Sequence, residues 1–121
     1  MPRLGLLDGP PGIGKSTLGR RYASDHPLTL CLDLDVLRGM LGGWDERLAE
    51  SGALARQAAL AAIAAHLAAG HDVVVPQYLG RTPFVEALEG MAAAACVIPT
   101  TAGDVDGAYR SVLTCLGDVS S

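Results

Sequence analysis

Strands that alternate with helices along this chain predict an α/β fold of three layers, a short parallel sheet of about four strands covered by helices on both faces. Three observations carry that expectation. Leu4 to Asp8 and Asp72 to Pro76 are short, unbroken apolar runs, the pattern of strands buried on both faces of a parallel sheet. Ser51 to Ala69 is rich in alanine and sets Leu60, Ile63 and Leu67 at i, i+3 and i+7, along one helical face. The length of 121 residues suits a single domain over residues 1–121, with room for a core but little to spare.

The remaining elements follow in order. After the first strand, Lys15 to about Ser24 reads as a helix, which Pro27 breaks. Leu28 to Leu34 alternates and then runs apolar, predicting a second strand that ends near Asp33. Asp35 to about Leu41 predicts a short helix stopped by Gly42-Gly43, and Gly70 is placed to cap the long helix. Pro83 to about Ala94 predicts a helix with Phe84, Leu88 and Met91 inward, followed by a strand near Ala95 to Ile98. A last helix opens with Asp104 as N-cap and carries Tyr109, Val112 and Leu116 at spacings of three and four; Val119 to Ser121 should fray.

The only lysine of the chain, Lys15, falls in Gly9-Pro10-Pro11-Gly12-Ile13-Gly14-Lys15-Ser16-Thr17, which fits the pattern G-x-x-x-x-G-K-[ST]. Such glycines let the backbone curl so that successive N–H groups face phosphate oxygens, with the lysine adding a mobile positive charge. Gly9, Gly12, Ile13, Gly14, Lys15, Ser16 and Thr17 are therefore the expected binding residues for a nucleoside triphosphate, with the Ser16 hydroxyl on magnesium. Strand before and helix after are the context that this loop requires, and the helix N-terminus aims its N–H groups at the same anion.

In a parallel sheet of this kind, ligands sit beyond the carboxyl ends of the strands. Asp33 and Asp35 reach that edge after the second strand, and Gln77 and Arg81 after the third. Asp35 is the candidate base for an acceptor hydroxyl; the alternative makes it the N-cap of the short helix. Asp33 either helps hold magnesium through water or is a solvated loop acid. Arg38, about one turn after Asp35, either clamps an anionic group on the acceptor or is a surface arginine. Gln77 and Arg81 are weaker candidates, and Arg56 is expected to be solvated or ion-paired. Trp44 either packs on a substrate or closes the short helix against the sheet, the second being favoured.

Composition narrows the classes. A formal net charge of −4 with acids and arginines intermixed argues against nucleic-acid and anionic-membrane partners. Cys31, Cys96 and Cys115 are odd in number and mostly in apolar company, which predicts buried free thiols. His26, His66 and His71 have no spacing that suggests a metal or a triad. Met1-Pro2-Arg3 leads straight into the first strand and no apolar run reaches about 18 residues, so the expectation is a cytoplasmic protein. No N-K-x-D sequence occurs, which disfavours guanine as the base.

The Gly9 to Thr17 loop, the Asp35-x-x-Arg38 pair and the Val73 to Val75 strand together resemble P-loop kinases of the group of zeta toxins, chloramphenicol phosphotransferases and polynucleotide kinases, known broadly as AAA-family ATP-binding proteins. The resemblance covers most of residues 3–91. It implies a P-loop NTPase fold with a Walker A loop, ATP and Mg2+ at Lys15 and Ser16, a small-molecule hydroxyl as acceptor, Asp35 as its base and Arg38 in contact with it. Two departures accompany it. Such kinases place a further strand, a helix and an arginine-bearing lid where Met91 to Cys96 here runs straight on to Val97, and Val73 to Val75 leads into Pro76-Gln77 instead of a Walker B aspartate. The alternative is thus a nucleotide-binding module with little or no catalysis.

Overall fold

The computed structural model describes residues 3–8, 15–76, 95–99 and 105–116. The chain runs β1 (Leu4–Asp8), α1 (Lys15–Asp25), β2 (Leu30–Cys31), α2 (Leu34–Gly39), α3 (Leu48–Ala68), β3 (Val73–Pro76), β4 (Ala95–Pro99) and α4 (Val105–Cys115). All strand pairs are parallel, in the order β2-β3-β1-β4. Leu4 is in register with Val73 on one side and with Ala95 on the other, so β1 lies inside the sheet. The expected helix over residues 83–94, the Asp104 cap, and Gln77 and Arg81 lie outside the described residues.

Alternate strand residues face opposite sides, and each side has its own core. Leu4, Leu6, Val73 and Val75 meet Ala59, Ile63 and Leu67 of α3, with Leu30, Leu34, Leu37 and Leu60 partly buried around them. Leu7 and Val74 meet Leu18 and Tyr22 of α1 and Tyr109, Val112 and Leu116 of the α4 segment. The three-layer expectation and the spacing predicted for the last helix both hold.

The approach of α1 to the sheet depends on a missing side chain. A Cβ at Gly19 would stand 3.0 Å from Cys31 Sγ and 3.2 Å from Pro76 Cγ. Gly19 thus trades the helix propensity of an alanine, about 1 kcal/mol, for closer seating. Asp72 then pins the amino ends of the strands. Its carboxylate accepts from the backbone N–H of Arg3 at 2.8 Å and from the Tyr22 hydroxyl at 3.2 Å.

Three boundaries depart from the sequence reading. β2 is shorter than Leu28 to Leu34, because residues 26–29 form a turn in which the Thr29 N–H bonds the His26 carbonyl and Leu28 has a φ of 73°. That left-handed leucine is held from outside: its carbonyl accepts from His66 Nε2 at 2.6 Å. α2 opens at Leu34 because Asp33, not Asp35, is the N-cap, its Oδ1 accepting from the Asp35 N–H at 2.9 Å. α3 begins at Leu48 instead of Ser51; of its buried positions, Ser51, Ala55, Ala59, Ile63 and Leu67 recur every fourth residue and Gly52 lies beside the first. Gly70 follows its C-cap Ala69 with a φ of 93°, the left-handed conformation that glycine adopts without strain.

Candidate functional site

The carboxyl ends of the four parallel strands define one edge, where the chain leaves β1 at Asp8, β2 at Cys31, β3 at Pro76 and β4 at Pro99. Two helices start there. α1 opens at Lys15, so the motif is bracketed by a strand and a helix N-terminus, and Lys15, Ser16 and Thr17 form the first turn. Unsatisfied N–H groups and the positive end of the helix dipole collect at such a turn, which suits an anion. Gly9, Gly12, Ile13 and Gly14 lie outside the described residues.

The second helix is α2. The N–H of Leu32 still bonds the Val74 carbonyl at 2.9 Å, which carries β2 toward this edge before Asp33 turns the chain into the helix. Asp33 is half-buried and engaged as a cap, and Asp35 is exposed in the first turn. Both carboxylates supply the oxygen chemistry that a hard cation such as Mg2+ takes, and Asp33 is the less exposed of the two. Among the described residues no three His, Cys, Asp or Glu side chains form a metal-binding group.

Arg38 stands one turn after Asp35, but its guanidinium is bonded to α3. Nε donates to Ser51 Oγ at 2.9 Å and Nη2 donates to the Leu48 carbonyl. Its Cζ lies 6.0 Å from the centre of the Trp44 ring, which is exposed. Thus α2 carries both Asp35 and Arg38, while the arginine's contacts lie with the start of α3. Arg56 is exposed on α3.

Two residues of this region escaped the sequence reading. Ser51 is buried and donates from Oγ to the Trp44 carbonyl at 3.0 Å. A Cβ at Gly52 would stand 3.2 Å from Arg38 Nη2. The signal was available: Ser and Gly side by side within an alanine-rich helix are two poor helix formers where propensity is otherwise high. Near the same edge, Cys31 is free and half-buried. Burial pushes its thiol above the ordinary value, Arg20 opposes that shift and Asp33 adds to it.

Residues 4–102 match the AAA domain family. The chain belongs to that family, one of P-loop nucleotide-binding proteins that includes kinase-like members. Among solved structures it is similar to a candidate kinase from Chloroflexus aurantiacus J-10-fl, with a TM-score of 0.65 at 20% identity over 98% of this chain and 69% of that one. At that identity the likeness concerns the fold, and it agrees with the parallel sheet and its covering helices. No curated protein matches the sequence. Among the described residues no helix is long and apolar enough to cross a membrane.

Proposed function

We propose that this P-loop protein binds ATP with Mg2+ and transfers the γ-phosphoryl group to a hydroxyl of a small molecule. The observation that carries the reading is the placement of the single lysine of the chain as the first residue of α1, directly after a stretch of sequence holding Gly9, Gly12 and Gly14 that follows an interior strand. Backbone N–H groups of that loop, including that of Ile13, and of the helix start orient the phosphates, and Lys15 balances their charge. Ser16, with Asp33 across the edge, supplies oxygen ligands for the metal, which when bound neutralises phosphate charge. Thr17 completes the turn. Asp35 takes the proton from the acceptor hydroxyl as its oxygen attacks phosphorus.

Lys15→Ala is the decisive variant. Calorimetry with magnesium-ATP should show binding to the parent and its loss in the variant, by at least about tenfold, as expected when a charge partner of phosphate is removed. Unchanged affinity removes the basis for the site. Transfer is then assayed with alcohol, sugar, nucleoside and antibiotic acceptors, and absence of any Lys15-dependent product refutes the kinase.

Two observations favour a second reading, a nucleotide-binding module without efficient turnover. The chain spans 69% of the similar structure, and Pro76 ends β3 where a Walker B acid would follow. Binding in calorimetry with no turnover supports this alternative.

A further inference from the structure

We propose that Arg38 is a positioning residue, which latches α2 onto the first turn of α3 through Ser51, instead of a clamp on the acceptor. α2 is six residues long and buries none of them fully; only Leu34 and Leu37 lean on the α3-side core. A helix of that length has no stability of its own. Its position is set by contacts, and a group of polar ones meets at Ser51.

Ser51 is a buried polar side chain, 4% exposed. Its hydroxyl accepts from Arg38 Nε on α2 at 2.9 Å and donates to the Trp44 carbonyl at 3.0 Å, with the Leu48 carbonyl at 3.3 Å. One oxygen therefore joins α2, the connection that follows it, and α3. The Leu48 carbonyl accepts from Arg38 Nη2, and Gly52 leaves the space that this guanidinium edge fills. A buried hydroxyl must be satisfied, so these bonds are costly to lose. An arginine that clamps an anion needs its planar fork directed at the ligand. Here the Nε and Nη2 groups of that fork are directed into the protein.

The catalytic consequence rests on the kinase reading above: the latch sets where α2 presents Asp35 to the acceptor. The latch itself is testable without any activity, because Trp44 is the sole tryptophan and reports on it. The variants are Arg38→Lys, Ser51→Ala and Gly52→Ala, with Arg38→Lys/Ser51→Ala as the double, each studied as full-length protein without ligand. Trp44 emission should shift to the red and acrylamide quenching should rise in all three singles, each lost bond moving the latched-to-open ratio by about fivefold. The double should fall short of the sum of the two singles, since both remove the Nε–Oγ bond. Where transfer is measured, the same variants should lower kcat together while ATP affinity stays within about twofold of the parent.

Unchanged Trp44 emission and quenching in Arg38→Lys, with a raised KM for the acceptor, overturns the latch in favour of the clamp. Additive effects in the double, or a silent Ser51→Ala, overturn it as well. If Ser51→Ala does not fold, Arg38→Lys and Gly52→Ala decide by the same fluorescence. Should no acceptor be phosphorylated, the kinase reading falls and the Trp44 readout still settles the latch.

Discussion

The two helices that start at the carboxyl edge of the sheet are held in opposite ways. α1 is seated on the sheet itself: Leu18 and Tyr22 are buried, Gly19 backs onto Cys31 and Pro76, and the Tyr22 hydroxyl bonds Asp72. It is also tied sideways to α4, where the Tyr109 hydroxyl donates to Asp25 at 2.5 Å and the Arg21 guanidinium lies 3.8 Å over the Tyr109 ring. α2 has no fully buried residue and depends on the Asp33 cap and the Arg38 bonds. On the proposed reading, the difference is that between a phosphate grip and an acceptor platform, which meet different demands. Charge stabilisation is best preorganised, at no cost of rearrangement during the reaction. An element that admits a substrate is drawn from the less stable parts of a fold.

Three perturbations break or sharpen that contrast. The largest effect should come from Ile63→Ala, which hollows the fully buried seat of α3 and with it the surface that α2 leans on. Such a truncation costs about 2–5 kcal/mol. Urea unfolding should show the midpoint falling accordingly, and a loss no greater than that of an exposed site would refute the assigned packing. Gly19→Ala comes next. The added methyl meets Pro76 and Cys31, so overpacking of about 1–3 kcal/mol should exceed the gain in helix propensity and lower the melting temperature by a few degrees. A more stable variant would mean that α1 is not held so closely.

The smallest effect concerns Cys31. Burial keeps its thiol protonated to higher pH than in the unfolded chain. Below the unfolded thiol's pKa the two states bind the same proton. As pH rises past that value the unfolded state loses its proton first, and stability declines until the folded thiol titrates. Between neutral pH and about pH 10 the parent should therefore lose more stability than Cys31→Ser. A parent that gains stability relative to Cys31→Ser over that range would contradict the burial.

Much of this architecture was legible because β1 and β3 are continuous apolar runs, and because Tyr109, Val112 and Leu116 mark one face of α4 against polar neighbours. α3 offered less contrast. Where about half of the positions are alanine, the inward row through Ala55 and Ala59 has no signature, and Leu60, read as a core position, is only half-buried. The alternative that made Asp35 the cap of α2 lay two residues off, since Asp33 and Asp35 are equally good caps by type. The bond from Arg38 to Ser51 joins two elements across a loop, and no local pattern encodes it. The lysine motif was legible outright, because its chemistry is carried by contiguous residues.

The interior place of β1 bears on how the chain acquires its shape during synthesis. Leu4 pairs with Val73 and with Ala95, both made long after it leaves the ribosome. Until then the first strand has no neighbours, and non-local parallel pairing of this kind is slow to form. The strand that leads to the lysine thus gains its neighbours on both sides only once the later strands have been made.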